Sequence, residues 1–281
     1  MCDACGGHGS HDHSHDHDSA HTHDHDRSPD QGTRIKTDGT LKAAITGKGG
    51  VGKTTLAAAV ARHLAAHHDV VALDADPDMN LAQTLGVTEP RPITRERELI
   101  QERAGNSGGL ISLTPEVRDV IETHSTPFGA GGQLLTIGAP AGANSGCMCP
   151  ENSFVRSLVS SALAEDYVVM DMEAGVEHLG RGTAESVDAM IVVVEPSRAS
   201  IQTANRIRGL AGELGIDAVR AVVNKASGNA TEVREVLDIP VIATLPYDED
   251  IATASLAGNP PVEASERLQE TAASVISAFR A

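Results

Sequence analysis

Apolar residues follow two alternating rhythms along this chain: short continuous runs, and stretches in which they recur every three or four positions. The continuous runs occupy residues 41–46, 70–74, 134–138, 167–172, 189–195, 218–223 and 241–245. Runs of this length, bounded by turn residues, predict strands buried on both faces. Between them, Leu56, Val60 and Leu64, and later Phe154, Leu158 and Ala162, recur at spacings of four. Leu268, Ala272, Val275, Ile276 and Phe279 mark an amphipathic helix near the end of the sequence. Strands that alternate with helices predict βαβ units with right-handed crossovers. The expected fold is α/β, a doubly wound and mostly parallel sheet flanked by helices. Such a sheet carries its functional loops at the C-terminal ends of its strands. Residues 89–132 are weakly patterned and rich in Gly, Thr and Glu. They read as a mobile insertion with one or two short helices.

Residues 1–38 break the rhythm. They have no apolar period and cannot bury a core. They hold eight of the thirteen histidines: His8, His11, His13, His15, His17, His21, His23 and His25. Seven aspartates are interleaved with them up to Asp30, against Arg27. The division expected is a disordered metal-binding tail over 1–38 and a single domain over 39–281.

Composition narrows the picture. Aromatics make up 2% of the chain and tryptophan is absent, so the core must come from Ala, Val, Leu and Ile. A net charge of −17 argues against nucleic acid or an anionic membrane surface as partner. No apolar run approaches the roughly 20 residues of a membrane span. The N-terminus lacks the basic start and apolar stretch of a secretory signal. The four cysteines form two close pairs, too few for a disulfide scaffold. That spacing suits metal or redox chemistry in a reducing compartment, so a cytoplasmic protein is expected.

The strongest local signal is GKGGVGKTT at residues 47–55, set between a strand run and a helical pattern. This is the setting of a phosphate-binding P-loop. Gly47, Gly49, Gly50 and Gly52 let backbone N–H groups turn around phosphates, with Val51 and Thr55 completing the loop. Lys53 supplies a cation to the β- and γ-phosphates of ATP, and the Thr54 hydroxyl suits Mg2+. Lys48 is one charge more than this chemistry needs. Either it is a solvated lysine on a tight turn, or it serves a nucleotide held by a second copy of the chain.

Acidic residues close two of the strand runs. Asp76, in LDADPDMN, is placed to orient a water at the γ-phosphate, or else to cap a short helix near Met79. Asp171, in VVMDMEAG, is the expected second anchor for Mg2+ through a water. Gly175, Gly180 and Gly182 make the following loop pliable, and Glu173 and His178 lie in or beside it. Asn224 ends another run and offers a donor and an acceptor to an adenine edge, or else makes a local turn. Pro246 opens the loop expected to cover the base.

Cys147 and Cys149, in GCMCPEN, are close enough to chelate one ion but give only half of a tetrahedral shell. The same pair from a second subunit would complete it, with a preference for Ni2+ or Zn2+. In the tail, imidazoles alternating with carboxylates suit Ni2+, Zn2+ or Cu2+. Cys2 and Cys5 stand at its start.

Taken together, GKGGVGKTT at 47–55, DADP at 74–77, DMEAG at 171–175 and NK at 224–225 resemble the deviant Walker A ATPases. That group contains MinD, ParA, the nitrogenase iron protein and the tail-anchored-protein targeting ATPase. The resemblance covers residues 41–281. Within the group, GCMCPEN at 146–152 and EAGVEHLGRGT at 173–183 look like the CooC-type ATPases that mature nickel carbon monoxide dehydrogenase. The resemblance implies that Lys48 reaches across a nucleotide-sandwich homodimer and that Asp76 is the catalytic aspartate. It also implies an ATP-dependent nickel-insertion chaperone, with Cys147 and Cys149 of each subunit forming a shared metal site. Apo carbon monoxide dehydrogenase would be the client. Two rivals stand beside this reading: a MinD/ParA-like positioning ATPase and a nickel or zinc storage protein.

Overall fold

The computed structural model describes residues 39–105, 111–139, 150–173, 181–228 and 230–280. The chain divides into two units, Met1–Gly32 and Thr33–Ala281, and every described residue belongs to the second. Among the described residues eight strands form one sheet. They are β1 (Leu41–Gly47), β2 (Val70–Asp74), β3 (Thr126–Phe128), β4 (Gly132–Thr136), β5 (Tyr167–Asp171), β6 (Ala189–Val194), β7 (Val219–Ala226) and β8 (Val241–Pro246). Their order across the sheet is β3-β4-β2-β5-β1-β6-β7-β8. All neighbours run parallel except β3 and β4.

The helices are α1 (Lys53–Ala65), α2 (Leu81–Leu85), α3 (Arg97–Ala104), α4 (Arg118–His124), α5 (Pro150–Ala162) and α6 (Arg181–Ala184). They continue with α7 (Arg198–Glu213), α8 (Ala230–Val236), α9 (Glu249–Ala257), α10 (Pro261–Ala264) and α11 (Glu266–Arg280). Two apolar layers lie on opposite faces of the sheet. One joins Ile100 of α3, Val120 of α4, Phe154 and Leu158 of α5, and Ile207 of α7. The other joins Leu56, Val60 and Leu64 of α1, Leu81 and Leu85 of α2, and Leu268, Val275 and Phe279 of α11. In β1, Ala44 packs into the first layer, while Ala43 and Ile45 pack into the second. That alternation is what a strand covered on both faces requires. The scarcity of aromatics is met by burying all three phenylalanines, Phe128, Phe154 and Phe279.

Ala57, Ala58, Ala59 and Ala61 of α1 are buried, and α1 packs against α11 and β5. Their small side chains let the helix that follows the P-loop sit close to the sheet. Residues 89–132 contain the short helices expected, but are packed against the core rather than forming a mobile insertion. They hold a 3-10 turn (Ile93–Arg95), α3, α4 and the edge strand β3. Ile93, Ile100, Val117, Val120, Ile121 and Phe128 are buried in the two layers or against them. Burial of these residues anchors the segment at the β3–β4 edge.

The three strands nearest the site are in tight register. Ile45 lies opposite Asp171, and Asp74 lies opposite Asp171 on the other side of β5. The C-terminal ends of β1, β5 and β2 therefore deliver the P-loop and two carboxylates to one place. This is where connections leave β1 and β5 in opposite directions, the usual position for a ligand in such sheets.

Candidate active site

Gly47 ends β1 and α1 begins at Lys53, so the P-loop spans the turn between them. Gly47, Gly50 and Gly52 have φ of 149°, 79° and 97°, a left-handed region open chiefly to glycine. Gly52 carries a further constraint. A Cβ there would run into the side-chain amide of Asn224. A Gly52→Ala chain is therefore expected to lose about 1–3 kcal/mol of stability from backbone strain alone. Its affinity for a non-hydrolysable ATP analogue should fall with it, as titration and thermal melts would report. An unchanged affinity would show that the loop tolerates the collision.

A cavity of about 470 Å³ opens over the loop. Gly49, Gly50, Gly52, Lys53, Thr54 and Thr55 form its floor, and Asp76, Asp78 and Glu173 bring carboxylates to its wall. Lys53 and Asp76 are almost buried, with Lys53 Nζ 3.9 Å from Asp76 Oδ2. Asp76 Oδ1 accepts a hydrogen bond from Asp78 N at 3.0 Å, which leaves Oδ2 toward the lysine. Asp76 does not cap the next helix. That work falls to Asp74, whose Oδ2 accepts from Leu81 N at 3.2 Å and whose Oδ1 accepts from Asp76 N at 3.3 Å. Lys48 is half-buried and is not among the residues lining the cavity.

Asp171 is fully buried, and among the described residues neither of its oxygens accepts a hydrogen bond of ordinary geometry. Burial pushes its carboxyl up to about 7; the nearby Thr54 hydroxyl and Lys53 charge oppose the rise. Asp74 is also pushed up to about 7, by burial first and then by the charge of Asp171. Sequence reasoning missed Asp74 as a site residue. Its signal was there, since an aspartate closing a strand beside a P-loop has the same warrant as Asp171. Also missed were Gln83 and Thr84 of α2, Ser255 of α9, and Asn259, which close the far side of the cavity.

Asn224 sits on the other side of the loop. Its Nδ2 donates to Val51 O at 2.8 Å, and its Oδ1 accepts from Lys225 N at 2.8 Å. The amide expected at an adenine edge is thus partly engaged in holding the P-loop. Asn224 and Pro246 line a narrow cleft of about 70 Å³ with Thr55, Leu245 and Tyr247. Cys147, Cys149, Gly175, His178, Gly180 and the eight tail histidines lie outside the described residues. Among the described residues no group of three or more His, Cys, Asp and Glu side chains has the arrangement of a metal site. No helix among them is long and apolar enough to cross a membrane.

Comparison with known proteins agrees with this architecture. Residues 42–262 match the CobQ/CobB/MinD/ParA nucleotide binding domain. The carbon monoxide dehydrogenase accessory protein CooC of Rhodospirillum rubrum is 41% identical over 233 residues, 78% of this chain and 88% of that protein. An uncharacterised ATP-binding protein of Methanocaldococcus jannaschii is 35% identical over 233 residues, 78% of this chain and 90% of its own length. Among solved structures, a ParA family ATPase from Chlorobium tepidum superposes with a TM-score of 0.61 at 20% identity, covering 83% of this chain and 96% of that one. MinD from Pyrococcus horikoshii, complexed with Mg-ADP, gives 0.60 at 20% identity, covering 84% and 93%. At such identity the two structures speak for the fold alone. The family match and the shared sequence, set over a formed P-loop and its carboxylates, place this chain among the MinD/ParA-type P-loop ATPases of the CobQ/CobB/MinD/ParA family, in its CooC-like group.

Proposed function

We propose that this protein is an accessory ATPase that delivers nickel to an enzyme of the carbon monoxide dehydrogenase type, using ATP to open and close a homodimer. The observation that carries this reading is the 41% identity to CooC across 88% of that protein's length.

ATP lies along the cavity floor, its phosphates wrapped by the glycine-rich loop and met by Lys53. Asp76 orients the attacking water and accepts its proton. The donor set at the strand ends fits Mg2+. Thr54 offers a hydroxyl, and the buried, unsatisfied Asp171 carboxylate offers acceptors for water on the ion. Asp74 adds a second negative group beside it. Magnesium keeps several waters and needs few direct protein ligands. When bound, it would neutralise charge on the phosphates, and Thr54, Asp171 and Asp74 would hold it.

Lys48 is the element that calls for a partner. It stands at the mouth of the P-loop, half-buried, and its charge would serve a nucleotide in a second copy. Leu256 on α9 offers a partner an exposed apolar contact. It is 92% exposed, beside Ser255 and Asn259 at the cavity rim. In the closed dimer Cys147 and Cys149 of both copies hold the nickel cargo, and the histidine tail raises its local concentration. The client is the apo form of the nickel enzyme. The positioning-ATPase alternative would need a membrane or DNA contact, which a net charge of −17 does not favour.

The test is equilibrium nickel binding and sedimentation of the full chain, with ADP and with a non-hydrolysable ATP analogue. The analogue is expected to produce a dimer that holds one extra nickel per two chains. That nickel should be lost in Cys147→Ser/Cys149→Ser, and the dimer in Lys48→Ala. Nickel stoichiometry and association state that are the same with both nucleotides would reject the coupled cycle.

A further inference from the structure

The NK pair at 224–225 is only half explained by the site above, since Lys225 is not among the residues lining the large cavity. Its own geometry is unusual. Its φ is 56°, a left-handed conformation that a lysine seldom adopts. The register between β7 and β8 is irregular between Asn224 and Ala226, so Lys225 stands at a bulge. Bulges re-aim side chains at the ends of strands. Here the lysine is aimed at the P-loop: Nζ donates to Gly50 O at 2.7 Å. Glu195, just past β6, places Oε2 3.9 Å from the same Nζ. Glu195 is itself fixed, because its N–H donates to Ser200 Oγ at 3.1 Å and its Oε1 accepts from Ser197 Oγ at 3.3 Å.

Two consecutive P-loop carbonyls are therefore held from one bulge, Gly50 O by Lys225 and Val51 O by Asn224. The Gly50 carbonyl belongs to the turn closed by Val51 N donating to Lys48 O at 3.5 Å, a long bond that alone fixes little. Gly49 and Gly50 are the central residues of this turn, and a Cβ at either would meet nothing within 4 Å. A turn of glycines in open space keeps one shape only if something outside it does the holding. A charge-assisted hydrogen bond is strong enough for that.

We propose that Lys225 is a positioning residue of the ATPase, fixing the tip of the P-loop through Gly50 and held in place by Glu195. The role is preorganisation of the phosphate cradle. It touches the ground-state nucleotide and the transition state alike, so it acts on binding more than on turnover. This inference rests on the ATPase assignment and does not depend on nickel or on a client.

The experiment compares Lys225→Met, Lys225→Gly and Lys225→Arg with the parent chain, measuring kcat and KM for ATP, the dissociation constant of ADP, and thermal stability. Lys225→Met and Lys225→Gly are both expected to raise KM and the ADP dissociation constant about tenfold, the loss of one hydrogen bond to a charged donor. Both should keep kcat within about twofold. Lys225→Arg should recover most of the affinity. Glycine relieves the left-handed backbone, so Lys225→Gly separates positioning from strain. If Lys225→Gly binds ADP like the parent while Lys225→Met does not, the lysine matters only through its backbone and the proposal is overturned. Parent-like KM and ADP affinity in both variants would overturn it as well.

Discussion

A chain carrying Asp76→Asn is expected to bind ATP about as well as the parent and to hydrolyse it about 10²–10⁴-fold more slowly, the range of a lost general base. The substitution is nearly isosteric. The asparagine Oδ1 can still accept from Asp78 N, the bond that orients the side chain at 3.0 Å. What disappears is the charge on the oxygen 3.9 Å from Lys53 Nζ. Without it the proposed attacking water has no base to receive its proton. Lys53 meanwhile loses a competitor for the phosphates, so affinity should hold or rise slightly. Single-turnover hydrolysis alongside a direct binding titration separates the two effects. Hydrolysis at the parent rate would remove Asp76 from the mechanism and return it to loop structure alone.

The second large effect lies in the pH dependence of stability. Asp74 and Asp171 both sit at about 7 when folded, against an ordinary 3.8. Between those values the folded chain holds protons that the unfolded chain has released. Stability contributed by this pair is therefore fully present below about 3.8 and is lost as pH rises to about 7, where the buried carboxyls are forced to ionise. For one carboxyl the cost is roughly 4 kcal/mol, and the pair is coupled, so the two costs do not simply add. Asp171→Asn removes one buried charge and, by relieving repulsion, lowers the other. The variant should melt well above the parent at pH 8, with the gap closing toward pH 5, while its ATPase activity is lost. Thermal melts across that range, without magnesium, are the measurement. A gap independent of pH would mean that the carboxyl is not titrating there. Magnesium should stabilise the parent more at pH 8 than at pH 6, because a cation favours the ionised form.

Much of this fold was legible because parallel strands covered on both sides announce themselves as unbroken apolar runs. Residues 70–74 match β2 to the residue, and the other predicted strands were found within a few positions. The strand β3 escaped because Thr-Pro-Phe is three residues long, contains proline and lies at an antiparallel edge. The one or two short helices expected in residues 89–132 are α3 and α4, but their bounds could not be read because each buries only a couple of side chains. At the site, the P-loop could be read locally since its chemistry is written in consecutive residues. Asp74 could not be paired with Asp171 from the sequence, because their meeting depends on β5 lying between β1 and β2. Gln83, Ser255 and Asn259 reach the cavity only through the packing of α2 and the α9–α10 turn. No periodicity in those segments points toward a ligand.

That same interposed strand has a consequence for how the molecule comes to exist. On the growing chain β1 and β2 are made early, yet they never pair with each other; the lane between them waits for β5. Two strand spacings, about 9.6 Å, separate them, so no slight shift of either closes the gap. Until Tyr167–Asp171 has left the ribosome, β1 has neither of its final neighbours, because β6 comes later still. The loop most distinctive in the sequence is thus complete long before it has a wall to lean on. Early fragments expose two unpaired apolar edges, the condition in which a nascent chain most needs a chaperone of its own.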